Sequence, residues 1–335
     1  MTLALGLVTP HGIWMGSDNR LFNTQTKQPE PDPSTKQFGF KTEDGIATVA
    51  YSGIGRLASG NHVSDFLVRL LRGESRSLDE TLLAIRGFAN EQVAPVAWDQ
   101  GIPHTFVVGT FLGDTVWAAV ITNLEVVRLG YPANETRLRR SFETAARHVP
   151  EGIVLATGQL DYISDEDRAK LDRAIGHRPR RPDNYSDLLA KVIRRAAWRA
   201  PHLISETCDV TQIVPPDRVF ETKAYGWGQP IDQDSAPRFL LFGIDTNEML
   251  RGLMSAAEGV GPNAEDWAVE AVRLERGVRV TDLETHRLGM IAADPVPTSR
   301  NDEVGVTWDA EPGAVVSVRR NTIKVLYPDH PADRT

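Results

Sequence analysis

The run Thr2-Leu3-Ala4-Leu5-Gly6-Leu7-Val8-Thr9-Pro10-His11-Gly12-Ile13-Trp14-Met15-Gly16-Ser17-Asp18-Asn19-Arg20 is the part of the chain whose reading decides the fold. Two apolar segments, residues 3–8 and 12–16, flank Thr9-Pro10-His11-Gly12. Proline fixes one backbone angle and glycine tolerates angles other residues avoid, so this punctuation predicts a β-hairpin at the start of the chain. Both strands lack a polar alternation, which predicts burial on two faces. A hairpin returns its second strand beside the first, and so brings Asp18, sixteen positions after Thr2, back to where the chain begins.

Working outward, the polar, Pro-rich residues 23–33 read as a loop, followed by strands at about 36–41 and 45–51 around Thr42-Glu43-Asp44-Gly45. After Ser52-Gly53-Ile54-Gly55, Val63, Phe66, Leu67, Leu70 and Leu71 recur at helical spacing. A second helix starts near Ser77, where Ser77 and Glu80 form a capping box. Strands are expected at 104–111, 115–122, 124–129, 153–156 and 208–214, and helices at about 165–175 and 186–199, the latter with one apolar stripe. Blocks of strands alternating with paired helices predict an α+β fold of stacked antiparallel sheets covered by helices. Residues 215–335 differ in pattern. They carry expected helices near 246–257 and 263–275 and strands near 304–308, 314–319 and 322–327, and the sequence leaves open whether they form a separate domain.

Composition bounds the class of protein. The 335 residues are 41% hydrophobic and 24% charged, ordinary for a globular chain and long enough for a large core plus an extension. A net charge of -8 gives no footprint for nucleic acid, and the basic run from His177 to Arg181 reads as a solvated loop. The lone Cys208 rules out an intrachain disulfide, reads as an inert buried thiol, and suits a reducing cytoplasm. The short apolar start has no basic segment before it, so neither a signal sequence nor a membrane span is expected. The eight histidines show no metal-ligand spacing on one helix, and no metal or cofactor is expected.

The chemistry centres on Thr2. Methionine aminopeptidase removes an initiator methionine ahead of a small residue, and the result is a free N-terminal threonine. Its α-amine, with a pKa near 8, lies within reach of its own hydroxyl and serves as general base. Asp18 lies beside this position through the hairpin and is placed to hold a lysine. That lysine is Lys36, ahead of the apolar positions Phe38 and Phe40; a one-residue shift of the strand would put Gln37 in its place. A buried ammonium beside the hydroxyl favours the ionised form, and Asp18 keeps the lysine charged and oriented.

Thr2 to Leu7, Gly12 to Arg20 with its Ser-Asp-Asn-Arg ending, the Lys36 segment and Tyr51-Ser52-Gly53-Ile54-Gly55 together resemble the start of a proteasome β-type subunit. The resemblance extends to bacterial relatives, the heat-shock-locus two-component protease and the ancestral β subunit. It implies a four-layer αββα sandwich of the N-terminal-nucleophile hydrolase type over residues 2–214, with 215–335 as a C-terminal α/β extension. By the same resemblance Thr2 is the nucleophile, Asp18 and Lys36 support it, the Gly53 N–H is the oxyanion donor and Ser205 is a supporting serine. His202 falls where the family places an aspartate, and Gln159 stands for a usual serine. The function implied is a threonine-type peptidase acting on peptides or unfolded protein, in a homo-oligomer, with an ATPase partner left open. Two alternatives stand beside it: an inactive structural subunit of the same fold, suggested by His202 and Gln159, and an amidase for a small amide.

Overall fold

A computed structural model describes residues 3–20, 22–23, 28–29, 35–57, 62–72, 76–131, 137–227, 236–241, 244–246, 279–282, 285, 287–293, 303–319 and 323–326. The chain divides into two compact units, residues 1–69 with 75–240, and 70–74 with 241–335.

In the first unit, β1 (Leu3–Thr9) and β2 (Gly12–Asp18) form the hairpin predicted from the sequence, with Ala4 opposite Ser17 and Thr9 opposite Gly12. The Thr9 hydroxyl closes the turn: it donates to the Gly12 carbonyl at 3.1 Å and accepts from the His11 N–H at 3.1 Å. A two-residue pair, β3 (Phe22–Asn23) and β4 (Gln28–Pro29), follows. Next come β5 (Gln37–Lys41), β6 (Gly45–Ser52), α1 (Val63–Leu71), α2 (Leu78–Phe88), a π-helical turn at Ala89–Val93 and α3 (Ala94–Gln100). The chain continues through β7 (Thr105–Leu112), β8 (Thr115–Leu124), β9 (Leu138–His148), β10 (Ile153–Gly158), α4 (Asp165–Ile175), α5 (Asp183–Arg199), β11 (Cys208–Ile213), β12 (Phe220–Tyr225) and β13 (Arg238–Leu241).

These strands build two antiparallel sheets, one ordered β10-β1-β2-β11-β12 and the other running β13-β5-β6-β7-β8-β9. Ala4, Val8, Ile13 and Met15 of the first sheet meet Ala50, Val107, Phe111, Val116, Ala118 and Val120 of the second in one apolar cluster. The opposite face of β1 and β2 presents Leu3, Leu5, Leu7 and Trp14 to Leu189, Val192, Ile193, Ala196 and Ala197 of α5 and to Leu171 and Ala174 of α4. Each strand of the hairpin thus buries both faces, which is why its sequence carries no polar alternation. Gly16 admits α5 closely, since a Cβ there would sit 3.2 Å from Ile193 Cδ1. Against the second sheet, α2, the π turn and α3 lie beside β9, where Phe142 N–H donates to Asn90 Oδ1 at 2.6 Å.

Ser77 caps α2 as its spacing to Glu80 predicts: its Oγ accepts from Glu80 N–H at 3.3 Å while its own N–H donates to Glu80 Oε2 at 3.0 Å. One expectation is corrected. No strand occupies 124–129 beyond Leu124; the strand that pairs with β8 is β9, which the sequence does not announce. It is an edge strand with only Phe142 fully buried, so its Arg-rich sequence shows no apolar alternation. The helix α3 also goes unannounced.

The sequence boundary at 214 falls between β11 and β12, and the pairing of those strands carries the first sheet on to Tyr225. The second unit holds a short strand β14 (Ile244–Asp245) and a five-stranded antiparallel sheet. Its strands β15 (Arg279–Asp282), β16 (Leu288–Ala293), β17 (Glu303–Trp308), β18 (Val315–Arg319) and β19 (Ile323–Leu326) are ordered β18-β17-β16-β15-β19, and Val280, Ile291, Val306 and Trp308 are buried. The helices expected at 246–257 and 263–275 lie outside the described residues. Among the described residues no helix is long and apolar enough to cross a membrane.

Candidate functional site

Several chain segments converge at the end of the first sheet where β1 begins and β2 ends. Register makes this inevitable. Leu3 lies opposite Gly158 at the end of β10, and Ala4 opposite Ser17, while Asp18 lies opposite Cys208 at the start of β11. From the second sheet, the Lys36 carbonyl accepts from Tyr51 N–H at 3.2 Å, which sets Lys36 beside the end of β6. The two sheets are joined at this end by Ser52 Oγ and Thr157 Oγ1, 2.6 Å apart.

Asp18 is the hub. Its Oδ1 accepts from Leu3 N–H at 2.8 Å, and its Oδ2 accepts from Arg20 N–H at 3.1 Å and Ser205 N–H at 3.3 Å. The Lys36 ammonium stands 3.4 Å from the same Oδ2, both side chains being fully inaccessible, and it also donates to the Arg20 carbonyl. The 201–207 loop is bound to the end of β2 by Arg20, which donates to the Pro201 carbonyl, and by Asn19 N–H, 3.3 Å from the Thr207 carbonyl. Ser205 completes the loop, its Oγ 2.7 Å from Thr207 Oγ1.

Burial pushes the Lys36 ammonium down to about 8 from 10.5, although Asp18 opposes the shift. An unfolded lysine holds its proton up to 10.5, so between pH 8 and 10.5 the unfolded chain carries the extra proton and stability rises with pH. The rise is on the order of 3 kcal/mol. Denaturant titrations of wild type at pH 7.5 and 10 should show it, and Lys36→Met should lack it; equal slopes in the two proteins would contradict the assignment.

Gly53 follows β6 with φ of +115°, and a Cβ there would fall 2.4 Å from the Pro103 carbonyl oxygen and 2.8 Å from His104 Cα. The structure thus brings Asp18, Lys36 and Ser205 into direct contact and places Gly53 at the end of the strand beside Lys36. Thr2, with Met1, lies outside the described residues. Gln37, the alternative to Lys36, points instead between the sheets, where its Nε2 donates to Ser17 Oγ at 2.9 Å and to the Asp209 carbonyl at 2.7 Å. His202 is exposed on the turn after α5, and Gln159 precedes a 3-10 turn at Leu160–Tyr162.

Two buried titratable residues at this end escape the sequence reading. Asp209 is fully buried, and burial pushes its carboxyl up to about 7 against a hydrogen bond with Asn19. His104, beside Gly53, is buried as well. Cys208 is buried, and its thiol is pushed up by burial first and by Asp209 and Asp18 beyond that.

No protein-family model matches the chain, and no curated protein matches it. Solved structures give a different result. The chain is similar to solved structures of Anbu. One such structure is the Anbu (Gly-1) mutant from Hyphomicrobium sp. strain MC1, at 12% identity over 78% of this chain and 99% of that one, with a TM-score of 0.45. Another is Anbu (ancestral beta-subunit) from Yersinia bercovieri, at 12% identity over 70% of this chain and 88% of that one, with a TM-score of 0.42. At that identity the similarity bears on no individual residue.

Proposed function

We propose that this chain is a threonine-type peptidase of the N-terminal-nucleophile class, built as a four-layer αββα sandwich and cleaving peptides or unfolded protein within a homo-oligomer. One observation carries the reading: a single buried carboxylate, Asp18, holds the backbone N–H of Leu3, the ammonium of Lys36 and the N–H of Ser205. Thr2 precedes Leu3 in the sequence, and on this reading its hydroxyl works beside the buried cation.

The chemistry follows from those parts. The Thr2 hydroxyl oxygen attacks the peptide carbonyl carbon, its proton passes to the α-amine, and the oxyanion accepts from Gly53 N–H. The C–N bond breaks as the amine returns that proton to the leaving nitrogen. Water then cleaves the ester by the reverse traffic. Lys36 stabilises the developing alkoxide, and a buried, paired ammonium does this more strongly than a solvated one. Lys36→Met should therefore lower kcat by about 10²–10³-fold. The fold should survive, because Asp18 keeps its three N–H donors and methionine fills the lysine's volume.

A site enclosed by such a homo-oligomer would admit only unfolded chains, so an unfolding ATPase is the partner class this reading calls for. The test is the state of the N-terminus. Turnover of a fluorogenic peptide should track the fraction of chains whose intact mass lacks Met1. A fully processed chain with no turnover would favour the inactive structural subunit instead.

A further inference from the structure

We infer that His104 is a positioning residue that sets the Ser52-Gly53-Ile54 turn by accepting the Ile54 N–H on its imidazole. The inference rests on the reading of Gly53 N–H as oxyanion donor. The bond from Ile54 N–H to His104 Nδ1 is 2.9 Å long and buried. An imidazole nitrogen that accepts carries no proton, so the ring is neutral and protonated on Nε2. Burial agrees, pushing the ring down to about 3, so that it stays neutral through the whole working range.

Geometry makes this bond consequential. Gly53 sits between two fixed peptide planes. On one side Ser52 is opposite Thr105 at the end of the β6–β7 ladder, and on the other the Ile54 N–H is held by the imidazole. At φ of +115° a glycine has more conformational freedom than any other residue, so without the second anchor the turn is held on one side only. Releasing it frees the Gly53–Ile54 peptide and with it the φ and ψ of Gly53, so the adjoining Ser52–Gly53 peptide, which carries the donor N–H, is braced from one side only; an oxyanion donor is useful only when aimed before reaction.

The ring itself is immobilised. Its main chain is clamped to β8, with His104 N–H donating to Asn123 Oδ1 at 2.8 Å and the His104 carbonyl accepting from Asn123 N–H at 3.3 Å. Tyr51 stacks on the imidazole with centroids 5.6 Å apart, and the Phe106 and Phe142 rings lie 4.6 and 5.9 Å away. No hydrogen-bond acceptor meets Nε2 among the described residues. A fully buried imidazole with one nitrogen unpartnered is a costly residue for a core, and a phenylalanine would pack there without that cost. The bond to Ile54 is what the imidazole provides and a phenylalanine does not.

Three variants separate this role from packing. Asparagine places an acceptor oxygen about where Nδ1 lies; glutamine places its polar end near Nε2; leucine has no acceptor. Hydrogen exchange at the Ile54 amide should remain slow in His104→Asn and accelerate about tenfold or more in His104→Gln and His104→Leu. In peptide hydrolysis, the Gln and Leu variants should lose about 10–100-fold in kcat with KM within about threefold, and the Asn variant should stay within about threefold of wild type. Slow Ile54 exchange in the folded Gln or Leu variant, or an equal kcat loss in the Asn and Gln variants, would overturn the inference. Should wild-type turnover prove independent of Thr2, the peptidase reading fails, while the exchange pattern still decides whether His104 sets the turn.

Discussion

Replacing Thr2 with alanine is expected to abolish peptide hydrolysis, lowering kcat/KM by at least about 10⁴-fold, while the melting temperature stays as in wild type. The size of the effect follows from what one residue is asked to do. Its hydroxyl is the attacking group and its α-amine the base, so alanine keeps the base and deletes the only atom able to form the ester. The neighbouring Asp18 and Lys36 contact each other and the backbone of Leu3, Arg20 and Ser205, so their arrangement does not need the threonine side chain. Serine keeps both functional groups, and Thr2→Ser should retain activity within about tenfold. Turnover by the alanine variant at even a tenth of the wild-type rate would move the chemistry elsewhere.

Gly53→Ala should be the most destabilising single substitution at the site. Its φ of +115° is strained for any residue with a Cβ, at a cost beyond ~1 kcal/mol. The added carbon would also lie 2.4 Å from the Pro103 carbonyl oxygen and within 3 Å of His104 Cα, both backbone atoms that cannot rotate away. Together these should cost about 3 kcal/mol, lowering the melting temperature by ~6–12 °C. The Gly53 peptide turns in the process, so kcat should fall as well, by about 10²-fold. Thermal melts with kinetics below the transition measure both. A variant as stable and active as wild type would show that neither the conformation nor the packing at Gly53 is as described.

The sequence carried the fold furthest where burial is two-sided or where a side chain completes the backbone. The hairpin at 3–18, the capping box at Ser77 and the apolar stripe of α5 all fall where pattern places them. The strand β9 did not show, because an edge strand facing solvent owes its existence to pairing with β8 and not to its own side chains. Asp18 and Lys36 were legible through spacing, since a hairpin and a neighbouring strand set where they come. His104 and Asp209 were not, since their contacts are made across the fold: the His104 imidazole accepts from the Ile54 N–H of the Gly53 turn, and the Asp209 carbonyl accepts from Gln37 between the sheets. Sequence spacing holds no trace of such contacts.

The most direct test of the nucleophile is to trap it. The full-length protein, with its mature N-terminus established by intact mass, is incubated with a peptide ending in an electrophile that forms a stable bond with an activated hydroxyl. Peptide mapping by mass spectrometry then locates the adduct. The expected result is one adduct per chain on Thr2, absent from Thr2→Ala and formed about 10²-fold more slowly in Lys36→Met. An adduct on any other residue, or one formed equally fast without Lys36, would contradict the account.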